Sequence, residues 1–405
     1  MEILMKILVY SVCDYEKLPN GGEVMLLNNF LSANSSSKNN YYLVGMSFDK
    51  KDEVGKWQKK KIGNKTYDFF PVCKILKDKE KTHIPFRLKV MLGIALYWKK
   101  INAIDADYHY IHEAELAIPM WNKKIDIVYH GHGDPCQTLK ISRFPIFRLK
   151  VFSDIYWKII AVTLKKSCKL IWAADRSREL YIKQQPKMKE MVESKSCTVH
   201  SSFDTKMVPD NRLKLDSKKK HIVTVGRLSK VKRIDFLLQV VAALAREEKD
   251  IDFIICGDGE EKRELMDLSN RLGVADKVVF LGLCDRKQIA TALKESEVFV
   301  FASENEAMSL VVLESLYMGT PVVSTNVGDI AYAVHNGETG YLVNDYDLSL
   351  YVDSVKRVLE LGKGYFSENC KVMAKNFTPD KMAQGINEVF DEIEANKNKN
   401  SNMQI

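Results

Sequence analysis

Two glutamates, Glu306 and Glu314, stand eight residues apart in the stretch SENEAMSLVVLESLYMGTPVVST, residues 303–325. The first precedes an apolar run and the second lies inside it. A carboxylate in an apolar helix is costly to bury unless something pairs with it, whereas on a wet helix face it is ordinary. In VGRLSKVKRID, Arg227 directly follows a strand pattern and Lys232 comes five residues later. Two fixed cations there suit a diphosphate, or form a solvated surface. DIVYHGHGD ends another strand pattern with His130 and His132, either able to take a proton or hold a hydroxyl. A metal reading of this pair lacks a matching ligand set nearby in the sequence. Two glycine loops, PNGGE with Gly21 and Gly22 and CGDGE with Gly257 and Gly259, would let backbone N–H groups approach a phosphate at a helix start. Each also reads as a plain turn. The short DAD and DYD matches, at 105–107 and 345–347, are the kind that arise by chance.

Two successive α/β units position these residues. The first opens with the strand pattern ILMKILVYSV, a loop, the helix pattern EVMLLNNFLSA and the strand YYLVGMSF. Further strands are expected in YHYIHE, KIDIVYHG and CKLIWAA, with helical character between residues 140 and 195. After the lysine run DSKKKH the same order restarts. HIVTVGRL, IDFIICGDG, KVVFLG, VFVFAS, TPVVST and GYLV read as strands, separated by amphipathic helices such as RIDFLLQVVAALAREE. Alternating β and α patterns predict parallel sheets, and ligands of such sheets bind beyond the carboxyl ends of the strands. The expected organisation is a first Rossmann-like domain over 1–204 and a second over 205–375. A helix over 376–395 is expected to cross back to the first domain, with a disordered polar tail over 396–405.

A chain of 405 residues is too long for one ordinary core, so two domains are the default. The eight cysteines form no CxxC pair, which argues against a zinc ribbon or disulfide frame. No basic leader precedes the first apolar run and no window of roughly 20 apolar residues occurs, so a cytoplasmic protein without a spanning helix is expected. The net charge of +8 is unevenly spread. Residues 1–200 carry 34 basic against 21 acidic side chains, and residues 201–405 carry 27 against 32. A basic half suits an anionic partner. No nucleic-acid motif accompanies it, so nucleic acid is not the expected one.

In combination, the Gly-Gly loop, the His-Gly strand end, VGRL with its lysine, CGDGE, the two glutamates spaced by seven residues and MGTPVV followed by NGETGYLV resemble the retaining glycosyltransferases of family 4. The resemblance is densest from His221 to Val343. It implies two Rossmann-like domains facing a cleft, the GT-B fold. It also implies transfer of a hexosyl group from a nucleotide-diphosphate sugar with retained anomeric configuration, and no metal or other cofactor.

Residue by residue, the resemblance implies that Glu314 binds the ribose hydroxyls and Glu306 lies beside the transferred sugar and diphosphate. Arg227 and Lys232 then stabilise charge on the leaving diphosphate. Gly257 and Gly259 lie near the nucleotide, and Gly21 and Gly22 approach the diphosphate. His130 orients the reacting sugar, with His132 as the alternative. Backbone amides of Ala307, Met308, Ser309 and Leu310 hold sugar hydroxyls or phosphate at a helix start. The family usually has Gly-Phe-Gly where Ala307, Met308 and Ser309 stand, so the side chains that replace glycine are expected to narrow the pocket. Arg233 replaces a usual glycine. Ser201 to Asp204 and Tyr332 are further departures.

UDP-sugars are favoured as donors on frequency alone. The first domain receives the acceptor in this family. WQKKKIGNKTYDFF, IPFRLKVMLGIALYWKK and ISRFPIFRLKVFSDIYWKIIAVTLKK mix cations with aromatic and aliphatic residues, as does a surface lying on anionic lipid. A peripheral enzyme on the inner face of the cell membrane is therefore expected, acting on a polyprenyl-linked or other cell-surface glycan. Two alternatives stay open: a catalytically silent sugar-nucleotide-binding protein and a sugar-nucleotide epimerase of the same fold.

Overall fold

The computed structural model describes residues 4–16, 22–34, 38–75, 84–133, 149–210, 213, 215–216 and 218–402. The chain forms two compact units, residues 1–201 with 382–405, and residues 202–381.

Among the described residues the second unit holds six strands: β9 (Lys220–Val225), β10 (Ile251–Cys256), β11 (Val278–Gly282), β12 (Val298–Phe301), β13 (Val322–Thr325) and β14 (Gly340–Val343). They pair in the order β11-β10-β9-β12-β13-β14, and every pair is parallel. Apart from Lys220, every residue of β9, β10, β12 and β13 is buried. Both faces of a parallel sheet are covered, so its strands read as unbroken apolar runs. The Tyr351 hydroxyl donates to Val323 O at 2.6 Å and accepts from Phe301 N at 3.0 Å, tying the ends of β12 and β13 together. The strand order reverses between β9 and β12, which makes the carboxyl ends of these two strands the natural ligand position.

The first unit holds β1 (Lys6–Tyr10), β2 (Asn40–Ser47), β3 (Gln58–Ile62), β4 (Lys65–Lys74), β5 (Tyr108–Ile111), β6 (Ile127–Gly131), β7 (Ser167–Trp172) and β8 (Ser196–Thr198). The order is β3-β4-β2-β1-β5-β6-β7-β8, with only β3 antiparallel, on β4. Along β1, Ile7 and Val9 enter one apolar cluster and Leu8 and Tyr10 the other, the alternation that a doubly covered strand requires.

The segment WQKKKIGNKTYDFF corrects its expected role. It is the β3–β4 hairpin, not a lipid-facing surface. Tyr67, Phe69 and Phe70 are buried, and Trp57 packs edge-on against Phe70 at 5.1 Å. Lys60 is also buried, its ammonium 2.6 Å from Asp14. Alternation in a strand sends the aromatic rings inward and leaves Lys59 and Lys61 exposed.

The boundary between the units falls at 201/202, not at 204/205. The reason is Phe203, fully buried in the core of the second unit with its ring 5.0 Å from Tyr317. The last helix runs from Pro379 to Asn402, so the tail expected to be disordered from 396 is helical through 402. Met382, Ile386, Val389, Phe390 and Ile393 seat this helix in the first unit's core. Tyr108 donates to Glu394 at 2.7 Å, and Lys397 reaches Asp126 at 2.7 Å. These anchors extend the helix beyond what the polar sequence alone favours.

Candidate functional site

The carboxyl end of β9 leads into Gly226 and Arg227, then a 3₁₀ turn at Lys230–Lys232. Arg233 closes that turn with φ of 50°. Two bonds fasten the turn to the loop after β12. Glu304 N donates to Val231 O at 2.8 Å, and the Ser303 hydroxyl donates to the same carbonyl at 3.3 Å. Residues 74 apart in sequence thereby meet: the Lys232 ammonium is in direct contact with Glu306. Lys232 also sits 5.3 Å from the centre of the Phe301 ring. Arg233 bonds Asp235 at 3.1 Å and Glu304 at 3.2 Å, and stacks on Tyr346. Its charge is spent locally rather than added to the Lys232 site.

Arg227 lies on the same loop with its side chain 74% exposed, paired to Glu260 at 3.0 Å. An exposed pair of this kind is weak and is readily exchanged for an anionic ligand. Glu260 belongs to the CGDGE loop, whose glycines have a packing reason. A Cβ on Gly257 would stand 1.8 Å from Gly226 O, and one on Gly259 would stand 2.2 Å from Leu228 O. The loop is pressed against the β9 loop, and only glycine lets the backbones approach so closely.

Glu314 lies in the helix Leu310–Tyr317 and is 5% exposed. Burial pushes its carboxyl up to about 7, partly offset by the Arg286 guanidinium. Arg286 is 3.4 Å from Glu314 and 3.4 Å from Asp204. A buried carboxylate whose pKa is raised by desolvation, at the ligand end of a sheet, is a binding-site candidate. Ser309 precedes the helix in extended conformation without capping it through its side chain, so the first-turn amides need other partners. Met308, at the position of the usual phenylalanine, is buried in the core of the unit. Ala307 accepts a bond from Asp329 N at 2.7 Å through its carbonyl, and Leu310 is half-buried.

In the first unit, β5 and β6 bring three histidines together. His130 is fully buried, and its Nδ1 is 2.5 Å from the Tyr110 hydroxyl. His112 Nδ1 lies 2.8 Å from His132 Nε2. Burial first, then the neighbouring imidazoles, hold His130 well below the usual histidine range, and burial takes His132 down to about 3. All three rings are neutral near pH 7. Gly22 opens the helix Gly22–Ala33, and Gly21 lies outside the described residues.

Sequence reasoning missed Glu260, Arg286 and His112. Each is fixed by tertiary contact: Arg286 starts a helix capped by Asp285, and nothing in its local pattern points to Glu314. The strand-end position of His112 after YHYI was the one readable signal. Two apolar faces also stand open. In the helix Phe86–Asn102, Leu88, Leu92 and Leu96 are exposed at intervals of four, beside Ile84. In the helix Lys150–Lys166, Val151 and Ile155 are exposed. No helix among the described residues is long and apolar enough to cross a membrane.

Fold and site define a class: an α/β protein of two parallel-sheet units whose second unit gathers cations and carboxylates at its switch point. Residues 209–378 match the family described as glycosyl transferases group 1. Over 146 residues it is 31% identical to the N-acetyl-alpha-D-glucosaminyl L-malate synthase of Bacillus anthracis, covering 36% of this chain and 38% of the relative. Over 142 residues it is 32% identical to the D-inositol 3-phosphate glycosyltransferase of Corynebacterium diphtheriae, covering 34% and 33%. The chain thus spans little more than a third of the length of these relatives. Among solved structures, sucrose-phosphate synthase from Thermosynechococcus elongatus superposes with a TM-score of 0.73 at 16% identity, over 96% of this chain and 99% of that one. Anabaena HepE, solved with UDP and glucose, gives 0.63 at 16% identity over 96% and 100%. These likenesses establish the GT-B fold.

Proposed function

We propose that the chain is a retaining glycosyltransferase that moves a hexosyl group from a nucleotide-diphosphate sugar to a lipid-linked or cell-surface glycan, without a metal. The observation that carries this reading is the Lys232–Glu306 contact at the β9/β12 switch point. A diphosphate arriving there replaces the carboxylate on Lys232, and Glu306 is released toward the sugar. Cleavage of the sugar–phosphate bond leaves negative charge on the diphosphate, which Lys232 and Arg227 stabilise by fixed position. Glu314 takes the ribose diol, which completes its hydrogen bonding. Amides of residues 307–310 hold sugar hydroxyls or phosphate. His130, neutral and held by Tyr110, orients a substrate hydroxyl rather than acting as a strong base. UDP is the favoured nucleotide, supported by the UDP bound in the similar Anabaena protein.

The open apolar faces support a peripheral contact with anionic membrane. Ile84, Leu88, Leu92 and Leu96 would enter the lipid boundary, with Lys99 and Lys100 at the end of the same helix meeting headgroup charge. The test of the reaction is incubation with UDP-sugars and polyprenyl-phosphate-linked glycans in EDTA, with the product anomer read by NMR. Retained configuration with full activity in EDTA supports the proposal. Inverted product, loss of activity in EDTA, or consumption of donor without an acceptor would each overturn a stated part of it.

A further inference from the structure

His112 directly follows β5, His130 is the residue of β6 before its last, Gly131, and His132 directly follows that strand. One ligand nitrogen from each of the three lies within 4.8 Å of the others. The ring centres are 5.2 Å apart for His112–His130, 5.1 Å for His112–His132 and 4.4 Å for His130–His132. The ring nitrogens His130 Nε2 and His112 Nε2 are buried and have no hydrogen-bond partner among the described residues. A buried, unpaired imidazole nitrogen is costly, and the one on His130, which faces this cluster, points to an absent ligand. Tyr110 holds His130 through Nδ1, which is how an outer partner orients a metal-ligating imidazole. Nε2 is then the nitrogen left for a metal. The nearby Arg87 guanidinium is paired with Glu115 at 3.1 Å, so its charge is partly offset.

The geometry points to a transition-metal site on His112, His130 and His132, of the type that takes Zn2+ through three imidazoles and leaves a fourth position open. Three neutral nitrogen donors select Zn2+, Co2+ or Ni2+ over Mg2+ or Ca2+, which prefer oxygen. Neutral rings bind without releasing a net proton. The proton shared between His112 Nδ1 and His132 Nε2 moves to the far nitrogen of its own ring, and both lone pairs then face the ion. The ion is not needed for glycosyl transfer. By taking His130 it blocks the orienting role proposed for that residue, so the site acts as an inhibitory metal site; this last step rests on the proposed function.

The test is titration of the EDTA-stripped full chain with Co2+, followed by visible absorption. One equivalent should give the absorption of a four-coordinate cobalt–imidazole site, and Zn2+ should bleach it. His132→Gln should weaken Co2+ binding at least tenfold and His112→Gln likewise, with Tyr110→Phe weakening it less. Should His112→Gln fail to fold, as checked by circular dichroism, the less buried His132→Gln carries the test. Absence of the band, or unchanged affinity in folded His132→Gln, overturns the site. Zn2+ should also reduce transfer by wild type, reversibly with EDTA. Binding without inhibition keeps the site and removes the orienting role of His130, which separates the failure of one proposal from that of the other.

Discussion

Lys232 and Glu306 form a direct ion pair across the strand-order reversal of the second unit, with side chains 26% and 18% exposed. The cation proposed for the diphosphate is thus held by the carboxylate proposed for the sugar. The pair keeps both groups in place and gives each a partner that substrate can replace. Lys232→Ala should lower kcat about 10²- to 10³-fold, the usual cost of losing one fixed group at developing charge. Steady-state kinetics with a melting curve on the same preparation checks this. A loss of stability matching the loss of rate would reduce the pair to a structural bridge.

Glu314 makes the apo protein sensitive to pH. Its carboxyl is raised from 4.5 to about 7 in the fold, so the folded state binds a proton more tightly than the unfolded chain. That contribution to stability is complete below about 4.5 and is lost as pH rises through about 7. The difference amounts to about 3 kcal/mol at most by the linkage relation. Urea titrations at pH 5 and pH 8 should therefore show a smaller pH difference for Glu314→Gln than for wild type. An equal pH difference in the two proteins would mean that Glu314 is solvated.

Gly257 separates packing from binding. Its φ is 157°, and an added Cβ would meet Gly226 O at 1.8 Å. Gly257→Ala should cost more than about 2 kcal/mol, as expected when a backbone must shift. It should also lower the thermal midpoint with or without nucleotide. A variant of normal stability that had lost only nucleotide affinity would instead assign this glycine to the ligand.

Much of this architecture was legible because buried parallel strands spell themselves as apolar runs. VTV, FIIC, VFVF and PVVST mark β9, β10, β12 and β13 without ambiguity. The β3–β4 hairpin escaped because WQKKKIGNKTYDFF mixes four lysines with four aromatics, while burial depends on which face each residue takes. Glu306 and Glu314 were legible as a spaced pair, but their partners were not, since Arg286 and Lys232 reach them only through the fold. His112 was hidden for the same reason: it meets His130 and His132 by strand pairing, which no local spacing reports.

The exposed leucines yield a separate expectation. Leu92 and Leu96 are 53% and 75% exposed, so replacing both with Asp should leave the fold intact. The double variant should lose sedimentation with phosphatidylglycerol-containing vesicles, while wild type binds them and releases in high salt. Equal sedimentation of both proteins would remove this face from any membrane contact.

The most direct test of the central claim is a thermal-shift screen of UDP, GDP and ADP and their sugars against wild type and Glu314→Ala. A nucleotide at about 100 times its Kd stabilises the protein by about 2.7 kcal/mol, or about 5–11 °C for a unit of this size. The expected result is a shift with one nucleotide, UDP foremost, that disappears in Glu314→Ala. No shift with any nucleotide, or a shift that survives the substitution, would contradict the assignment of this switch point to a nucleotide sugar.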